Sequence, residues 1–129
     1  YYLKVDDPSQ NWITFHLKKH KITLYSFTIR TNELGPTIAH PKRFEILGSN
    51  DNENYTTLFF YEDNEGTLNK TGVTRYFNIF ENRKIKEEEL RFYSYIRYFQ
   101  INGQAPYYDN DRIIALSAFE IFGILIPDT

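Results

Sequence analysis

Apolar and polar residues alternate in steps of two along most of this 129-residue chain, and the apolar ones are chiefly aromatic or β-branched. Tyr25, Phe27 and Ile29 interleave with Ser26, Thr28 and Arg30. Successive side chains of a strand point to opposite faces, so this spacing fits a half-buried strand; a helix would repeat its apolar face every three to four residues. β-Branched and aromatic residues also suit a pleated surface. Candidate strands are Trp12 to Leu17, Ile22 to Thr31, Arg43 to Gly48, Thr56 to Tyr61, Thr74 to Phe80, Phe92 to Ile101, and Ile113 to Ile126 with a bend at Gly123. The only helical turn expected is Lys84 to Leu90, where Lys86 and Leu90 flank three glutamates. Many short strands separated by turn residues predict an all-β sandwich.

A chain of this length builds one hydrophobic core, and residues 1–129 show neither repeat nor linker, so a single domain is expected. Eleven Tyr, eleven Phe and one Trp make up 18% of the residues, which predicts a rigid, aromatic core. The absence of Cys excludes disulfides, thiolate zinc sites and a cysteine nucleophile. Fifteen Lys and Arg against 17 Asp and Glu leave a charge of −2 and no basic footprint for phosphates, so nucleic acid is not an expected partner. The apolar run Ile121 to Ile126 is far shorter than the roughly 20 residues of a membrane-spanning helix. Neither an initial Met nor a signal peptide is present, so Tyr1 is expected to be an internal boundary of a longer protein.

Antiparallel strands send alternate connections to opposite ends of a sandwich. One end receives Lys18 to Lys21, the Gly48 to Glu53 turn and Glu81 to Arg91. The other receives three long polar loops, Asn32 to Lys42, Glu62 to Val73 and Asn102 to Arg112. Loops of that length without their own secondary structure are usually functional or disordered. The candidate ligand-binding residues lie there: Asn32, Glu33 and His40 on the first loop, Asn64, Asn69 and Lys70 on the second, Tyr107 and Tyr108 on the third. Aromatic rings beside amide, imidazole and ammonium groups are what sugar and peptide sites use.

The ordered segments Trp12-Ile13-Thr14-Phe15, Tyr25 to Arg30, His40 to Asp51, Tyr95-Ile96-Arg97 and Leu116 to Gly123 resemble the coagulation factor 5/8 type C, or discoidin, domain over nearly the whole chain. The resemblance implies a galactose-binding-like jelly-roll β-sandwich of about eight antiparallel strands. It also implies a binding module carried by a larger regulatory protein. Tyr1 to Asn11 is too short for the opening strand and loop that the family places before the tryptophan segment. In carbohydrate-binding relatives that loop supplies most ligands of a calcium ion completed by a glutamate corresponding to Glu120, so no metal is expected here. The disulfide that closes coagulation-type members cannot form, which favours an intracellular location.

No nucleophile elbow, phosphate-binding glycine loop or zinc-protease helix is present, so neither an enzyme nor a cofactor is expected. Arg97 and Glu120 stand within apolar strands and should be paired or hydrogen-bonded. His16 and His20 have helical metal spacing but lie in a strand segment beside Lys18 and Lys19, Asp109 to Asp111 reads as a turn, and Glu87 to Glu89 as a solvated surface. The first functional expectation is a non-catalytic module for a protein or peptide partner. The alternative is a galactose-type lectin in which His40 and an Asn or Lys of the second loop bind hydroxyls while Tyr107 or Tyr108 stacks. A third is membrane-surface contact through Leu34 and Ile38, which few basic residues would support.

Overall fold

The computed structural model describes residues 2–4, 12–31, 40–79, 91–104 and 113–128. They form strands β1 (Tyr2–Lys4), β2 (Trp12–His16), β3 (His20–Thr31), β4 (His40–Ser49), β5 (Thr56–Glu62), β6 (Thr74–Asn78), β7 (Tyr95–Gln104) and β8 (Ile113–Pro127). One sheet has the order β1-β8-β3-β6 and the other β2-β7-β4-β5. Every pairing is antiparallel. Pairs 1–8 and 3–6 thus fall in one sheet and pairs 2–7 and 4–5 in the other, which is the connectivity of a jelly roll. The expected all-β sandwich is therefore the fold.

Alternation decides what is buried. Phe27, Ile29, Phe44, Ile46, Ile96 and Tyr98 are all fully enclosed, while the residues between them stay partly exposed. Phe27 joins the two sheets: its ring stacks on Phe77 at 4.9 Å and meets Phe59 and Phe44 edge-on at 5.4 and 6.1 Å. Edge-to-face contacts of this kind place the positive rim of one ring on the negative face of another. The Tyr98 hydroxyl, buried with its ring, donates to Gln100 Oε1 at 3.0 Å, and burial pushes its ionisation well above that of an ordinary tyrosine.

Some strand limits differ from the sequence reading. β7 begins at Tyr95 because the preceding backbone is used elsewhere: Tyr93 bridges Ile22, and the Ser94 N–H donates to Asn50 Oδ1 at 3.1 Å. β4 begins three residues early because His40 pairs with Gln104 of an extended β7. The expected bend at Gly123 takes another form, since β8 runs through it and β3 shifts register opposite, between Leu24 and Ser26. A Cβ at Gly123 would stand 2.0 Å from the Thr23 carbonyl oxygen, so glycine permits this approach.

Neither charge in the apolar strands meets an opposite charge among the described residues, but Arg97 is hydrogen-bonded, one of the two outcomes expected. Glu120 is exposed. Arg97 lies outward because its neighbours Ile96 and Tyr98 face the core. Its guanidinium sits 4.0 Å from the Tyr55 ring centroid and 4.9 Å from that of Trp12, and Nε donates to Thr14 Oγ1 at 2.8 Å. Aromatic faces and a hydroxyl thus satisfy a half-exposed cation.

Candidate functional site

The three long connections leave from the same end of the sandwich, and the described stems are tied together by side chains. Thr31, the last residue of β3, donates its hydroxyl to Lys70 O at 2.6 Å and accepts from the Val73 N–H at 2.8 Å. Gln104, the last residue of β7, donates to Pro41 O at 3.0 Å and to Asp63 Oδ2 at 2.7 Å. The Asp63 N–H in turn donates to Lys42 O at 2.8 Å. Each loop stem is therefore bound to another.

Asp63 is the hub. Its carboxylate is 1% exposed and also accepts from the Leu68 N–H at 2.8 Å, the Thr67 N–H at 3.0 Å and the Thr67 hydroxyl at 2.7 Å. Burial alone would raise its ionisation, but the bonds from Thr67, Leu68 and Gln104 favour the charged form and hold it below an ordinary aspartate. Beyond Thr67 the network reaches Arg75, which donates to the Thr67 hydroxyl and to the Tyr61 hydroxyl and lies over the Tyr61 and Phe77 rings. Asp63 and Arg75 were not singled out from the sequence. Asp63 followed by Gly66 and Thr67 is a turn signal, with Gly66 at φ 71°, but turn chemistry does not reveal burial.

Of the candidate residues, Asn64 and Lys70 are exposed on the second loop and Asn69 is half-buried beside them. Asn69 Oδ1 is shielded from solvent and accepts no hydrogen bond. His40 is a correction. It is fully buried where it pairs with Gln104, so its side chain presents no surface to a ligand. Asn32, Glu33, Tyr107 and Tyr108 lie outside the described residues, as do Leu34, Ile38, the Lys84 to Leu90 turn, the Glu87 to Glu89 run and the Asp109 to Asp111 run.

Burial lowers the His40 pKa below its ordinary value of 6.5. The unfolded chain then binds a proton on His40 before the folded one does, so stability is full above about pH 6.5 and falls as the pH drops toward the folded value. His40→Gln is expected to flatten the pH dependence of the urea midpoint between about pH 7 and 5, by up to ~1.4 kcal/mol per unit of pKa displacement. An unchanged slope would show that His40 does not carry it.

No family model matches the chain, and no curated protein matches it. Among solved structures, the chain is similar to a fragment from Bacteroides thetaiotaomicron provisionally named a chitobiase, with 17% identity and a TM-score of 0.58. The match covers 88% of this chain and 60% of that fragment. At that identity the similarity establishes the sandwich fold alone.

Proposed function

We propose that this chain is a non-catalytic binding module of the discoidin type whose braced loop end takes a glycan. The carrying observation is a loop end whose stems are bound to one another through Thr31, Asp63 and Gln104 while Asn64 and Lys70 stay exposed on it. The Asn64 amide and the Lys70 ammonium offer hydrogen-bonding partners to sugar hydroxyls. The fold neighbour's name, which belongs to a glycan-processing protein, agrees with this reading.

The test is thermal shift with galactose and chito-oligosaccharides. A sugar at 100 times its Kd stabilises by about 2.7 kcal/mol, several degrees for a domain of this size. Asn64→Ala together with Lys70→Ala should abolish the rise without lowering the ligand-free Tm by more than a few degrees. A flat response of the wild type to every sugar would overturn the glycan reading.

A protein partner is the second reading. The exposed Phe122, Ile124 and Leu125 of β8 favour it, because three large apolar side chains on one short segment are costly to leave in water. An intracellular setting belongs with that reading.

A further inference from the structure

The outer edges of the two sheets differ in how well they are protected. β1 spans three residues and β2 and β6 five each, too short to template much pairing. β5 spans seven, Thr56–Glu62, with the sequence TTLFFYE. It has neither lysine nor proline, the residues that usually blunt an exposed edge. Its one charge, Glu62, is engaged by Arg43 Nη2 of its own sheet at 2.7 Å.

The hydrogen-bond register shows which backbone groups are left over. Arg43 stands opposite Glu62, and the Asp63 N–H donates to Lys42 O at 2.8 Å. In an antiparallel ladder that bond makes Arg43–Glu62 a non-bonded pair and Phe44–Tyr61 a bonded one. The Phe60 N–H and C=O and the Glu62 N–H therefore point away from β4, and nothing among the described residues bonds to them. The Phe60 side chain, on the outer face, is 51% exposed. Unpaired backbone and an unpaired ring thus coincide at one residue.

We propose that β5 is a self-association strand, pairing antiparallel with β5 of a second copy about a twofold axis at Phe60 and joining two four-stranded sheets into one of eight. One contact then satisfies both deficits. Each Phe60 N–H donates to the Phe60 C=O of the other copy, and the two rings meet across the seam as a directly opposed aromatic pair. Tyr61 faces Phe59 of the partner subunit, and Glu62 faces Leu58 of the partner subunit, so no like charges are opposed. The register shift between Ile46 and Leu47 leaves Leu58 bulged, which keeps the regular pairing short and the dimer transient. The seam centres on Phe60 and reaches the loop end only at Glu62, and it does not rest on the glycan reading.

The test combines sedimentation velocity from about 5 µM to 1 mM with amide hydrogen exchange at the two ends of that range. For the wild type, the sedimentation coefficient should rise with concentration, and protection should increase at the Phe60 and Glu62 amides but not at Phe59 and Tyr61, which already bond to β4. Phe60→Lys should stay monomeric with an unchanged Tm and an unchanged sugar response. A wild type that is monomeric throughout would overturn the proposal, as would a dimer that survives Phe60→Lys or protects a different strand. Should Phe60→Lys fold poorly, the alternating protection pattern in the wild type decides alone.

Discussion

Phe27→Ala is expected to cost about 4 kcal/mol, near the top of what a single truncation can do. Phe27 is fully buried and its ring contacts Phe77 in its own sheet and Phe44 and Phe59 in the opposite one. Alanine removes the burial of a large ring and also strips four neighbouring rings, Phe119 included, of a packing partner. The surrounding strands are held by their ladders and cannot collapse into the space. Domains have only about 5–15 kcal/mol of stability in total, so the variant should melt on the order of 15 °C lower. Urea denaturation checks this. A loss below about 1 kcal/mol would mean that the sheets do not close on Phe27. Phe60→Ala is the internal control: the neighbouring aromatic of β5 faces outward and should change stability by at most about 0.5 kcal/mol under monomeric conditions.

The second large effect belongs to a polar group. Asp63→Ala should destabilise by about 3 kcal/mol, because it leaves the Leu68 and Thr67 N–H groups and the Gln104 amide buried without their acceptor. Asp63→Asn keeps one carbonyl oxygen but turns an NH2 toward donors, so it recovers only part of the loss. The two variants also differ in acid. The folded carboxyl of Asp63 ionises below the unfolded one, so its contribution is complete above about pH 3.9 and disappears as the pH falls through the folded value. Urea midpoints at about pH 7 and pH 3 should therefore converge between wild type and Asp63→Asn at the acid end. An Asp63→Ala protein as stable as the wild type would remove Asp63 from the hub role. Loss of stability with the sugar response retained would separate the brace from the ligand rim.

The architecture was legible because strand periodicity and burial arise from the same cause. Phe27 and Ile29 alternate with Thr28 and Arg30 in the chain, and they alternate between core and solvent in the fold. The partners of polar side chains were not legible. Arg97 was expected to be paired or hydrogen-bonded, but that its partners are Trp12, Tyr55 and Thr14 depends on cross-strand geometry. His40 was placed in the first loop, but β4 begins with it, and Pro41 sits inside that strand opposite Gly103 at a register irregularity, where an N–H is not required. Asp63 reads locally as an ordinary turn former, and only the arrival of Gln104, 41 residues later, makes it a buried hub. Local chemistry sets turns and faces, whereas these pairings depend on topology.

The nested strand order also bears on how the chain emerges from a ribosome. Among the described strands only β4 and β5 form a hairpin from neighbouring sequence; β3 requires β6 and β8, β2 requires β7, and β1 requires β8. A chain synthesised as far as β6 carries Phe44 and Phe59 with no complete opposite sheet to cover them. The sheet holding β3 closes when β8 arrives, so the aromatic core assembles only once β8 has emerged and not progressively. During that interval the hairpin edge at Phe60 is already formed while its surroundings are not, and this is when the nascent chain most needs protection from its neighbours.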